Sequence, residues 1–155
     1  GQHIILSGRV LDRHGDLANG VLMEFWQANS KGIYNSPANA GHSDLDPWFN
    51  GYGRLRSASG EYKFSTIMPG ASDKRAPNIT ITLFSDGISR IVTQVFFEGQ
   101  KANEADPVLQ PLDSEDQARL IARHDGRTDD GAEVYLLDII MAGPNETPFF
   151  DDFES

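Results

Sequence analysis

The chain carries four histidines, His3, His14, His42 and His124, the first residues to weigh for metal or acid–base chemistry. They fall in separate segments, and no two stand at a spacing that turns both imidazoles toward one ion. Each reads as a surface or turn residue. There is no HExxH pair, no glycine-rich phosphate cradle and no Gly-x-Ser-x-Gly elbow. Cysteine is absent, which excludes disulfides, thiolate nucleophiles and zinc–thiolate sites. Asp and Glu number 23 against 13 Lys and Arg, a formal charge of −10. On so acidic a surface most carboxylates are simply solvated, so no acid–base pair stands out. The same charge repels phosphate backbones and anionic lipid, arguing against nucleic-acid and membrane partners.

The elements that would position any site are mostly short strands. A chain of 155 residues with 39% hydrophobic side chains and 9 Phe has material for one core and one domain, residues 1–155. No apolar run nears the ~20 residues of a membrane span, and a reducing cytoplasm suits the missing cysteines. Gly8–Leu11 and Val21–Gln27 flank Asp12-Arg13-His14-Gly15-Asp16, which reads as a hairpin turned at Gly15. Glu61–Ser65, Asn78–Leu83, Ile91–Phe97 and Glu133–Met141 read as further strands. In Asn78–Leu83 the alternation is strict: Ile79, Ile81 and Leu83 take one face, and Asn78, Thr80 and Thr82 the other. One helix is expected, capped at Ser114-Glu115-Asp116-Gln117 and running to Arg123 with Leu120 and Ile121 buried. Many short strands between Gly/Pro turns indicate an all-β fold, a β-sandwich. The polar stretch from Asn29 to Gly53 is long enough to be an interaction or site loop.

A set of motifs, taken together, is more specific. Gly8-Arg9-Val10-Leu11-Asp12 is followed by Glu24-Phe25-Trp26-Gln27-Ala28-Asn29, Gly32-Ile33-Tyr34 and Asp46-Pro47-Trp48-Phe49. Then come Gly51-Tyr52-Gly53-Arg54, Thr66-Ile67-Met68-Pro69-Gly70, Ala76-Pro77-Asn78-Ile79 and Thr93-Gln94-Val95-Phe96-Phe97. In this order, across essentially the whole chain, they resemble the intradiol ring-cleavage dioxygenases. Lys101–Leu109 and Asn145–Asp151 resemble the α-type chains of the protocatechuate 3,4-dioxygenases.

The resemblance implies a β-sandwich in a family whose active members hold Fe(III) with two tyrosinates and a His-x-His pair. On a strand, residues i and i+2 face one side, so both imidazoles reach one metal. Here the corresponding positions are Asn78 and Thr80. One tyrosine position falls at Ser72 and the other near Gly41. An amide and hydroxyls are poor substitutes for those donors around ferric iron. The resemblance therefore implies no catalytic residue and no metal ligand in this chain. It implies instead a noncatalytic α subunit completing the pocket of a homologous iron-bearing β chain, which cleaves 3,4-dihydroxybenzoate to 3-carboxy-cis,cis-muconate with O2. Two departures matter. The family's α chains carry an N-terminal arm ahead of this start, expected to be absent here. They also place a pocket arginine where this chain has Asp86, so Asp86 and Arg90 are the substrate-pocket candidates, with Arg90 a nearby replacement cation. An anion near a carboxylated ligand repels it, which also admits a substrate without a carboxylate.

A different class of reading is a noncatalytic binding module. Gly8, Val10, Asp12 and Gly15, then Gly60, Tyr62, Phe64 and Pro69-Gly70, also suit transthyretin-like and carboxypeptidase-regulatory sandwiches. Such modules give no reason for Glu24–Asn29 or Glu146–Asp151. Phe25 and Trp26 are expected in the core. Arg54 is expected to pair with Asp138, on the face of Val134, Leu136 and Ile140. Phe149 and Phe150 are expected to form an exposed anchor for a partner.

Overall fold

The computed structural model describes residues 1–46, 49–85 and 88–151. Nine strands and one α-helix follow in order: β1 (His3–Leu11), β2 (Leu22–Gln27), β3 (Tyr52–Arg56), β4 (Glu61–Ile67), β5 (Asn78–Ser85), β6 (Ile88–Phe97), α1 (Ser114–Leu120), β7 (Ile121–Arg127), β8 (Glu133–Leu136) and β9 (Ile139–Ile140). The strand order β3-β2-β5-β6-β7-β8-β1-β4 is one continuous path. Two layers result, β3-β2-β5-β6 and β8-β1-β4. β7 passes between them, parallel to β6 at Phe96/Ile121 and Phe97/Ala122 and antiparallel to β8 beyond. This is the expected β-sandwich.

The core lies between the layers. Ile79, Ile81 and Leu83 of β5 are fully buried, as the alternation demands. Phe25 stacks on Phe64 from the other layer with ring centroids 4.1 Å apart, and Phe97 meets Tyr135 edge-on at 5.0 Å. Each such buried ring contributes roughly 2–3 kcal/mol through apolar area removed from water. Glycine lets the layers close. A Cβ on Gly53 would stand 2.3 Å from the Phe64 ring, and one on Gly8 would stand 1.9 Å from the Leu137 carbonyl oxygen. The Tyr62 hydroxyl donates to that same carbonyl from a fully buried position, where burial pushes its phenol far up.

Several expectations are corrected. The turn at Gly15 forms, with φ +80°, and Asp12 accepts from the His14 and Asp16 amides, but β1 and β2 are not a hairpin. β1 pairs with β4 and β8, while β2 pairs with β3 and β5, because each strand buries its apolar face in a different layer. The helix is capped by Asp113, whose side chain accepts from the Asp116 amide, and it stops at Leu120. From Ile121 the backbone goes to the ladder with β6, so Ile121 to Arg123 are strand. The final strand is broken at Leu137-Asp138 into β8 and β9. Its buried residues are Tyr135, Leu137 and Ile139, the opposite phase from Val134, Leu136 and Ile140.

Asp138 pairs with Arg9, not Arg54. Arg9 Nη2 lies 2.6 Å away and the Arg9 amide donates at 2.9 Å. Burial alone would raise the Asp138 carboxyl, but the hydrogen bonds and charge of Arg9 outweigh it and hold the group below the ordinary value. Arg54 faces Glu24 at 3.9 Å. Phe149 and Phe150 are half-buried within their own chain, packed on the main core and on a second cluster of Ala76, Phe96, Leu109 and Leu120.

Candidate active site

The outward face of β5 is where the family chemistry would sit. Strand register places Tyr52 of β3, Trp26 of β2, Thr80 of β5 and Gln94 of β6 in one row across the sheet. Directly paired residues share a face, so these four side chains emerge on one side, with Asn78 beside Phe96 one step along. Trp26 is thus half-buried on the outer face, while Phe25 alone takes the core. The Tyr34 ring covers Trp26 at 5.7 Å between centroids.

The loop carrying Tyr34 is built by Asn29. Its side chain donates to the Asp44 carbonyl (2.8 Å) and accepts from the Lys31 (2.9 Å) and Ile33 (3.1 Å) amides. Gly32, at φ +81°, lies so close to the Ala71 carbonyl that a Cβ there would stand 2.3 Å from its oxygen. That close approach brings Ser72 against the same loop. Gly41, by contrast, stands in an open part of the stretch, with nothing within 4 Å of a Cβ.

Arg75 ties this face together. Its Nε donates to Asp106 (3.0 Å), and Nη2 donates to the Gln94 side-chain oxygen. Gln94 in turn donates from Nε2 to the Thr80 hydroxyl at 3.1 Å. Asp106 is fully buried and also accepts from the Ala76 (2.8 Å), Val108 (2.8 Å) and Leu109 (3.4 Å) amides. Asn78 donates to the Ala76 carbonyl at 2.8 Å, and its own side-chain oxygen is buried without a partner. The face is therefore a connected neutral-and-paired network with one orphaned acceptor.

Asn78 and Thr80, named from the sequence, are on this face. Ser72 borders it. Arg90 is exposed on β6, four residues and roughly 13 Å along the strand from Gln94. Asp86 lies outside the described residues. Arg75, Gln94 and Asp106 were not singled out. The readable signals were an arginine directly before Ala76-Pro77, a glutamine inside the β-branched run of β6, and an aspartate directly before Pro107.

The described residues on this face do not fit a ferric centre. His3, His14, His42 and His124 are all exposed, and His124 is engaged with Glu133. Among the described residues no three His, Cys, Asp or Glu side chains gather where they could hold a metal. Every one of the four phenols is held above its ordinary value: Tyr34, Tyr62 and Tyr135 chiefly by burial, Tyr52 chiefly by its hydrogen bond to Glu24.

A family model described as dioxygenase matches residues 1–143. The protocatechuate 3,4-dioxygenase β chain of Burkholderia cepacia is 37% identical over 159 residues, covering 96% of this chain and 68% of that protein. The α chain from the same organism is 34% identical, covering 97% and 78%. The α chain of Pseudomonas putida is 35% identical, covering 97% and 77%. Among solved structures, an intradiol ring-cleavage dioxygenase from Tetranychus urticae superposes with a TM-score of 0.76 at 17% identity, over 96% of this chain and 84% of that one. The dioxygenase domain of a carbohydrate-binding fusion from Streptomyces sp. SirexAA-E gives 0.71 at 24% identity, over 92% and 81%. A sandwich with this order of motifs and these relatives is that of a ring-cleaving dioxygenase. The chain belongs to the intradiol ring-cleavage dioxygenase family. Its α and β relatives are about equally similar, so identity alone does not separate the two types.

Proposed function

We propose that residues 1–155 form the sandwich of an α-type, noncatalytic subunit of a cytoplasmic protocatechuate 3,4-dioxygenase-like enzyme. A homologous β chain would hold Fe(III) and cleave 3,4-dihydroxybenzoate, with this chain walling the pocket. The observation that carries the reading is the donor set on the outer face of β5. By the sequence resemblance, Asn78 and Thr80 on this face and Ser72 beside it take the positions of the family's iron ligands, and Thr80 is engaged through Gln94 and Arg75. Swapping two imidazoles for an amide and a hydroxyl removes the nitrogen donors that ferric iron needs there.

The test is expression of the chain alone and with a β chain that has both tyrosines and the His-x-His pair. Alone, it is expected to carry no stoichiometric iron, show no tyrosinate charge-transfer band and consume no oxygen with any catechol. Together, the two chains co-purify and turn over. A coloured, oxygen-consuming preparation of the single chain overturns the reading. Asp86 favours one variant of it, a substrate lacking the carboxylate. Faster turnover of catechol than of 3,4-dihydroxybenzoate by the assembled enzyme would select that variant. A chain that stays monomeric beside every β chain would select the binding-module reading instead.

A further inference from the structure

A cavity of about 540 Å³ opens at the seam where the two ends of the strand path, β3 and β4, meet. Its walls include Ser7 and Arg9 of β1, Leu55 and Arg56 of β3, and Glu61 and Lys63 of β4. Three cations thus converge on one concavity in a chain whose formal charge is −10. Convergence against the prevailing charge is the feature that asks for an anion.

The availability of the three differs. Arg9 is paired with Asp138, and Glu61 lies near enough to add its field. Among the described residues the Arg56 side chain donates only to a backbone carbonyl, that of Gly20, at 3.1 Å and makes no ion pair. Among the described residues the Lys63 side chain has no ion-pair or hydrogen-bond partner. The backbone adds donors. In an antiparallel ladder, hydrogen-bonded and non-bonded pairs alternate. The bonds Val10 N to Gly60 O and Met68 N to Gln2 O put the bonded pairs at even β1 positions. Lys63, opposite Ser7, therefore turns its N–H to the open edge. The bond Ser57 N to Val21 O does the same for Arg56, opposite Leu22. Each unpaired cation thus sits on an edge strand beside its own free amide, one on each wall.

We infer that this seam binds a small linear dicarboxylate, one carboxylate taken by Lys63 on the β4 wall and the other by Arg56 on the β3 wall. A compact monoanion brings one carboxylate to one cation, and an extended dianion offers a carboxylate to each wall. The volume lies within the range of small-molecule sites. The site involves none of Asn78, Thr80, Gln94 and Arg75 and does not depend on the subunit role proposed above.

The test is calorimetric titration of the whole chain with succinate and adipate, against acetate and inorganic phosphate at matched ionic strength. Saturable binding of one dicarboxylate at a single site is expected. Lys63→Gln and Arg56→Gln should each weaken it by about fivefold, the upper range for a solvent-exposed ion pair. Glu61→Gln should tighten it, since it removes the one unpaired carboxylate among the wall residues. Both cations are exposed side chains, so the variants keep the fold, which circular dichroism checks. No saturable dicarboxylate binding overturns the inference. So does binding unchanged in both variants, or phosphate or acetate binding as well as the dicarboxylates.

Discussion

Asp106 offers the sharpest test of how the β5 face is held. Its carboxylate is wholly inaccessible and takes four donors, the Arg75 guanidinium and the Ala76, Val108 and Leu109 amides. Asp106→Ala strips all four at once. The two short amide bonds, each at 2.8 Å, leave donors with nothing to replace the oxygen. An orphaned buried donor costs about 1–3 kcal/mol, and the partly hydrated Arg75 adds about 1 more. A loss of about 4 kcal/mol is expected. At about 3 °C per kcal/mol for a chain of this size, Tm falls by about 12 °C. Asp106→Asn keeps one carbonyl oxygen and is expected to lose about half as much. A cycle with Arg75→Met isolates the pair, and a coupling of about 2 kcal/mol is expected for an ion pair with one fully buried partner. Urea and thermal denaturation of the four proteins supply the numbers. An Asp106→Ala protein within about 1 kcal/mol of the parent would refute the argument.

Other substitutions read the closeness of the layers. Tyr62→Phe removes only the bond to the Leu137 carbonyl and is expected to cost about 1 kcal/mol in urea denaturation. Gly8→Ala drives a methyl into that same carbonyl, so a loss above about 3 kcal/mol or failure to accumulate folded protein is expected. Normal stability of Gly8→Ala would show that β1 and the 137–138 break are not in contact. Stability is also expected to fall in acid. Asp12 is lowered by the His14 and Asp16 amides, Asp130 by the Thr128 hydroxyl, and Glu133 by hydrogen bonds from His124 and Arg127. Asp138 is lowered because Arg9 outweighs its burial. Groups lowered in the folded chain stabilise it above their unfolded value of about 4, and that stability is lost as pH falls through the folded values. Urea midpoints at pH 7, 4 and 3 should therefore decrease in that order, and a flat or rising series would contradict it.

The parts legible in sequence were those where one local pattern suffices. Ile79, Ile81 and Leu83 alternate with polar residues, and only a strand with one buried face satisfies that. Pairing was not legible, because the turn at Gly15 is compatible with a hairpin and with a crossing between layers. What decides is which sheet receives Leu6 and which receives Phe25, a non-local matter. The Arg54 expectation failed for the same reason: Asp138 meets Arg9 through the β1–β9 neighbourhood, 129 positions apart in the chain. At the site, Asn78 and Thr80 could be read from their motif. Arg75 and Asp106 could not, since their partnership joins two loops that no periodicity links.

The central position of β1, with β4 on one side and β8 on the other, has a consequence for synthesis. β1 finds its second neighbour only when residues 133–136 have been translated. Until then it presents an unsatisfied ladder flank to the cell, so the nascent chain waits in a half-zipped state that chaperones or premature pairing can exploit. Truncations that stop short of β8 should accordingly aggregate rather than settle into a smaller sandwich.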